Sequence, residues 1–201
     1  GAEQAAPLVY QRLYQRIAYE TFVDELGEPL AGQFLKSWYS WQSLFDERVQ
    51  QPQWGWFDDQ RTPAVETLPD LIRRAAAQVR AELVAAHGSD PKAWRWGDEH
   101  RIQFDSPLRR KGFGRDWLGR PAQAMGGSGE TVLRARTAFM DGFDVQFFAS
   151  MRLVADLADD QKVMAVLSGG VVERQFHPQQ KNQLDPWFAG ELLPWWFDKQ
   201  A

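Results

Sequence analysis

Over the first ninety positions apolar residues recur every three or four places, and the rhythm stops only at glycine and proline. From Pro7 to about Leu26, the residues Leu8, Val9, Leu13, Ile17, Phe22 and Leu26 fall on one side of a helix with charges between them. Gly27 and Pro29 close that segment. The same spacing predicts a second helix from Leu30 to Val49, with Phe34, Leu35, Trp38, Trp41, Leu44 and Phe45 on its buried side and Pro52 beyond its end. Trp54 and Trp56 anchor an aromatic loop over 53–60. A third helix, from about Thr67 to His87, has the cleanest stripe: Leu68, Leu71, Ile72, Ala75, Ala76, Val79, Leu83 and Val84, with Gly88 as its stop.

After Pro91 the period changes to two. Trp94, Trp96, Ile102 and Phe104 alternate with polar residues as in a strand. A loop rich in Arg and Gly runs from Pro107 to Gly129. Strands are then expected over Thr131–Phe139, Val145–Leu157 and Lys162–Leu167, the last two joined by an acidic hairpin turn at Ala158-Asp159-Asp160-Gln161. Gly169-Gly170 breaks the pattern before a short helix and a Trp-rich tail. The expected class is α+β: one segment over 1–201, mainly helical over 1–90 and mainly antiparallel strands over 91–201, with no repeat or linker.

Composition narrows the options. With 201 residues, 44% of them hydrophobic, the chain can bury a substantial core. Ten tryptophans, whose indole N–H groups need partners when buried, call for buried contacts or a large interface. A net charge of −4 argues against a nucleic-acid or anionic-membrane partner. No apolar run approaches the roughly 20 residues of a membrane span. Cysteine is absent, which removes disulfides and thiolate chemistry. The start, Gly1-Ala2-Glu3-Gln4, lacks the basic and apolar regions of a signal peptide.

Several motifs occur in an informative order. Thr21-Phe22-Val23-Asp24-Glu25-Leu26-Gly27 is followed by Trp94-Arg95-Trp96-Gly97-Asp98-Glu99-His100, then Ser106-Pro107-Leu108. Gly126-Gly127-Ser128-Gly129-Glu130-Thr131-Val132 comes next. The strand Ser150-Met151-Arg152, the Gly169-Gly170 loop and the stretch from Asn182-Gln183-Leu184 to Gly190-Glu191 complete the series. In this order they resemble the penicillin acylase family of N-terminal nucleophile hydrolases, at the C-terminal part of the large subunit. Ser128 and Glu130 stand where the family's glycine turn carries acidic residues. Phe176-His177-Pro178 and Lys181-Asn182-Gln183 also vary the text of the penicillin-cleaving members.

The resemblance implies part of an αββα sandwich in a hydrolase that cuts the amide of an N-acylated small molecule: a penicillin, an acyl-homoserine lactone or an acyl peptide. It further implies a precursor that processes itself and a Ser nucleophile at a new N-terminus. That residue belongs to sequence before Gly1, so no catalytic, cofactor-binding or metal residue is assigned in this chain, and the chain alone is expected to be inactive. The implied partners are other chains of the same precursor, including one beginning with Ser, and the N-acyl substrate. A periplasmic or secreted location and a structural calcium elsewhere in the enzyme come from the same source. The competing expectation is a non-catalytic binding module whose Trp-rich surface takes a protein or a glycan.

The candidate chemistry within the chain reads as structural. His87 ends a helix, where a cation complements the dipole. His100 adjoins Asp98 and Glu99 and is expected to be a hydrogen-bonded structural residue; His177 sits in a turn, and neither has a second His or Cys at zinc-ligand spacing. The turn at Gly126–Gly129 lacks the Lys-Ser/Thr ending of a phosphate loop. Ser128 fails the nucleophile-elbow pattern because Glu130 takes the place of its last glycine. Arg109, Arg110, Lys111, Arg115 and Arg120 form a basic loop, expected to be a solvated or salt-bridged face with no nucleic-acid partner. Asp156, Asp159 and Asp160 lack calcium-loop spacing.

Overall fold

The structure is a computed structural model, and it describes residues 1–104, 121–159, 162–174 and 176–195. The basic loop at Arg109–Arg120, the Ser106-Pro107-Leu108 motif and Asp160 lie outside these residues. The chain is mixed helix and antiparallel strand, in agreement with the α+β expectation. It divides into two compact units, Gly1–Gln146 and Phe147–Ala201.

The first unit is built on two long helices. Ala5–Leu26 (α1) ends at Gly27, whose φ of 73° takes the positive region open to glycine. Leu68–His87 (α4) begins with a capping box in which Thr67 and Asp70 exchange side-chain and backbone bonds. Leu8 from α1 with Val79 and Leu83 from α4 make one buried cluster, joined by Trp94 and Trp96.

The predicted second helix is two. Glu28–Lys36 (α2) and Trp38–Arg48 (α3) are separated at Ser37, which leaves helical geometry with φ −91° and ψ 57°. Apolar spacing continues across the break, so periodicity does not register it. The freed end of α2 is satisfied by a side chain: the Trp41 indole N–H donates to the Leu35 carbonyl at 3.0 Å, fully buried. Trp41, Phe45, Phe22, Leu35, Phe57 and Leu71 form the main core, crossed by edge-to-face ring pairs such as Phe22–Phe34 at 5.1 Å. Trp54 and Trp56 stack at 5.7 Å with 8° between their planes and pack against this core.

One ion-pair chain ties these helices together. His87 contacts Glu99, Glu99 pairs with Arg12, and Arg12 shares Glu82 with Arg16. Arg16 reaches Glu20, Glu20 meets Arg61, Arg61 binds Asp59, and Arg74 joins Asp59 to Glu66. The Arg61 hydrogen bond, first among the causes, holds the Asp59 carboxyl below its ordinary range.

The alternation of Trp94 and Trp96 is not a strand. Trp96–Glu99 is a single helical turn (α5), followed by only two strand residues, Arg101–Ile102 (β1), paired with Gln123–Ala124 (β2). A helical turn sets Trp96 four residues before His100, and their rings stack at 4.3 Å. Of the strand expected over 131–139, only Ala135–Thr137 (β3) forms. The strand expected over 145–157 is two, Val145–Phe148 (β4) and Met151–Ala155 (β5).

In the second unit, β5 pairs with Val163–Leu167 (β6), which pairs with Leu193–Pro194 (β7), both antiparallel. Register puts Leu153, Ala165 and Leu193 in one row. On one face, the short helix Leu184–Ala189 (α6) supplies Trp187, fully buried, with its N–H donating to the Ala149 carbonyl at 3.1 Å. The Arg152 guanidinium lies 4.3 Å over that indole and donates to the Trp187 carbonyl, so the Ser-Met-Arg strand and the Asp-Pro-Trp helix lock together. The other face carries Met151, Leu153, Leu193 and, by its backbone bond to Val163, Trp195; each is between 36% and 49% exposed.

Thr67→Ala removes the side-chain half of the capping box, leaving the Thr67 backbone N–H on Asp70, and is expected to lower unfolding stability by about 1 kcal/mol, while Thr67→Ser keeps it. Denaturant titration of the two variants against the parent measures the difference.

Candidate functional site

The motif residues of the first unit converge on one buried assembly. His100 is fully buried. Its Nδ1 lies 2.7 Å from the Met125 carbonyl oxygen and its Nε2 lies 3.0 Å from that of Ala135. A neutral imidazole has one N–H, and we assign it to Nδ1 on the shorter contact. Burial, the largest influence, pushes the His100 pKa below its ordinary value, against the upward pull of the two carbonyls. Trp96 is also fully buried, and its indole N–H donates to the Gly127 carbonyl at 2.9 Å. Trp96 thus holds the glycine turn at Gly127, and His100 holds Met125, the residue just before it.

The glycines of that turn and its partner are required by space. Gly127 has φ 81°, and a β-carbon there would collide with the Leu133 carbonyl oxygen. A β-carbon on Gly97 would come within 2.6 Å of the Ala124 β-carbon. Thr131 completes the turn, accepting from Ser128 N–H at 2.8 Å and donating to the Leu133 carbonyl at 2.8 Å.

Beside this assembly lies a pocket of about 230 Å³. Tyr10 and Tyr14 come from α1, Trp38 and Trp41 from α3, and Phe139 follows β3; Asp46, Glu130 and Arg136 add charge to the same wall. The Arg136 guanidinium sits 4.7 Å over the Trp38 ring. The Tyr14 hydroxyl donates to Asp46 at 2.9 Å. Burial first, and then Asp46, raises the Tyr14 pKa well above the ordinary phenol range, so the hydroxyl stays a donor. Sequence reading did not gather these residues, because they come from separated segments and each fits a core stripe or a turn.

The remaining histidines occupy unrelated places. His87 is the last residue of α4, and its Nε2 lies 2.6 Å from Glu99, which also takes two bonds from Arg12. His177 Nδ1 accepts from the Gln179 N–H at 3.1 Å within a short turn of helix. Among the described residues, no group of three or more His, Cys, Asp and Glu side chains is arranged to hold a metal ion, and no helix is long and apolar enough to cross a membrane.

The penicillin amidase family model matches residues 1–201, and the chain belongs to that family. Its relatives include acyl-homoserine lactone acylase QuiP of Pseudomonas syringae pv. tomato, 30% identical over 209 residues, covering 96% of this chain and 24% of that protein. The enzyme of the same name from Pseudomonas putida is 26% identical over 190 residues, covering 92% and 23%. That from Pseudomonas aeruginosa is 25% identical over 216 residues, covering 99% and 25%. The chain spans about a quarter of the length of the curated relatives it matches.

Two outcomes test this assembly. Because the folded-state pKa of His100 lies below its unfolded value near 6.5, the unfolded chain binds more protons as pH falls. The His100 contribution to stability is complete above about pH 6.5 and declines below it; His100→Gln should cost about 1–3 kcal/mol at pH 7.5 and flatten that decline. Urea unfolding between pH 7.5 and 5.5 reads both effects. Gly127→Ala forces a β-carbon into the positive-φ region against a carbonyl and should cost at least about 2 kcal/mol by the same assay.

Proposed function

We propose that this chain is the C-terminal structural portion of an amidohydrolase that cleaves N-acylated small molecules, and that it works with other chains of one processed precursor. The observation that carries the reading is the match of the whole chain to the penicillin amidase family, at a span of about a quarter of each acyl-homoserine lactone acylase it resembles. The nucleophile is then a Ser on sequence upstream of Gly1, freed by self-cleavage, and its own α-amine serves as base. A periplasmic or secreted enzyme fits this reading.

The second unit supports a division of labour between segments. Its sheet carries Met151, Leu153, Leu193 and Trp195 on one uncharged, half-exposed face, and β5 is an edge strand. Such a face in water favours aggregation, so a covering layer is required. In the proposed αββα sandwich that cover is the second sheet, contributed by the rest of the precursor. The competing binding-module reading rests on a tryptophan-rich surface, but Trp41, Trp94, Trp96 and Trp187 are buried, and Trp195 is the one exposed tryptophan among the described residues.

The test is the complete protein offered N-acyl-homoserine lactones, penicillins and acyl peptides, with amine release as the signal and mass spectrometry of its N-termini. Hydrolysis by an assembly that contains a chain beginning with Ser is expected, and replacing that Ser by Ala should abolish turnover. In the same protein His100→Gln and His177→Gln should keep turnover within about tenfold, since removal of a reacting group costs on the order of a thousandfold. Hydrolysis by isolated residues 1–201 would overturn the reading.

A further inference from the structure

The chain holds one Asp-Gly dipeptide, Asp141-Gly142. It follows a turn in which the Asp141 N–H donates to the Ala138 carbonyl at 3.0 Å and Met140 takes a φ of 72°. Two rings fix the flanks. Phe139 lies 4.9 Å from Trp41 of the main core, and Phe143 lies 5.6 Å from Trp96 of the other cluster. The dipeptide is thus part of a short span between the two buried clusters of the first unit, held on both sides by packing.

The span is open to reaction. Gly142 has φ 91°, which favours glycine, and open space surrounds the position of an added β-carbon, so the residue that carries the nitrogen is uncrowded. Among the described residues none accepts a bond from the Gly142 N–H. The Asp141 carboxylate is half-exposed, and its partner among the described residues is the Lys36 ammonium at 2.9 Å, itself half-exposed. Exposed pairs of this kind are weak and open readily. A carboxyl carbon and an amide nitrogen joined through one residue need no encounter, the advantage that favours an intramolecular ring closure.

We propose that Asp141-Gly142 is a site of spontaneous covalent modification, at which the aspartate rearranges to isoaspartate through a cyclic imide. The Gly142 nitrogen bonds to the carboxyl carbon of the Asp141 side chain, and one carboxyl oxygen leaves as water with the amide proton and the carboxyl's own proton. Water then adds to the former main-chain carbonyl of Asp141 and breaks its bond to nitrogen, which takes back a proton. The main chain now runs through the Asp141 β-carbon and is longer by one atom, and the free carboxylate sits on a shorter arm, displaced from Lys36. The steps consume only water, and the assignment does not rest on the amidohydrolase reading.

Ageing of the complete protein at neutral pH in heavy-oxygen water, followed by peptide mapping, tests it. Isoaspartate carrying a heavy oxygen is expected at position 141, and at neither Asp90 nor Asp185, which precede proline and so have no following N–H to attack with. Asp141→Glu keeps a carboxylate for Lys36 and should lose the mark, because its longer side chain closes a larger, slower-forming ring. Lys36→Gln frees the carboxylate and should raise the rate by about two- to fivefold, the factor that the modest strength of an exposed ion pair allows. An unmarked Asp141 in the folded parent, equal marking in Asp141→Glu, or a rate unchanged in Lys36→Gln would each overturn the assignment. The parent alone decides the matter if a variant fails to fold.

Discussion

Glu99 is the fastening on which the first unit depends. Its carboxylate takes two bonds from Arg12 of α1 and meets His87 at the end of α4, while its own backbone belongs to the single turn of α5. That turn has only four residues, too few to be stable from its own hydrogen bonds. Held by Glu99, it sets Trp96 and His100 at the spacing that stacks their rings, and the two rings then hold Gly127 of the glycine turn and Met125 just before it. Partly buried ion pairs add little over an apolar contact, but removing one partner leaves a buried charge uncompensated. The clamp therefore acts as a specifier of geometry, and the pocket wall formed by Trp96, Ser128 and Gly129 inherits its position from it.

What the sequence discloses depends on whether the signal is local. The helix over 68–87, whose capping box of Thr67 and Asp70 came from the structure, was legible because its stripe and its Gly88 stop are local in sequence. The break at Ser37 was not, because its reason is a bond from the Trp41 indole back to Leu35, and a tryptophan on a buried stripe gives no sign of capping a carbonyl. Trp94 and Trp96 misled for a related cause: two large residues at spacing two imitate a strand, while Trp96 and His100 at spacing four carry the true helical turn. The glycine turn was legible as a turn, since Gly127 admits no side chain. The pocket was invisible, because the fold brings Tyr14, Trp38, Asp46 and Arg136 together from three stretches of chain.

The two units solve their burial differently. In the first, aromatic rings from three helices, α1 to α3, and the 54–57 turn close over one another, and polar side chains finish the edges. In the second, a three-stranded sheet has one face partly covered by Trp187 of α6 and the other largely apolar and open. A half-covered sheet is the form expected of a layer that belongs to a larger stack.

The ion-pair chain along α1 and α4 contains no lysine. Its cations are Arg12, Arg16, Arg61 and Arg74, with His87 at one end. Guanidinium groups keep their proton at every pH a protein survives, whereas an ammonium loses its own near 10.4. The exposed Lys36–Asp141 pair stands outside that chain. Amine-directed reagents, which acylate lysine and spare arginine, can therefore label or immobilise this protein without loosening the clamp that shapes its core.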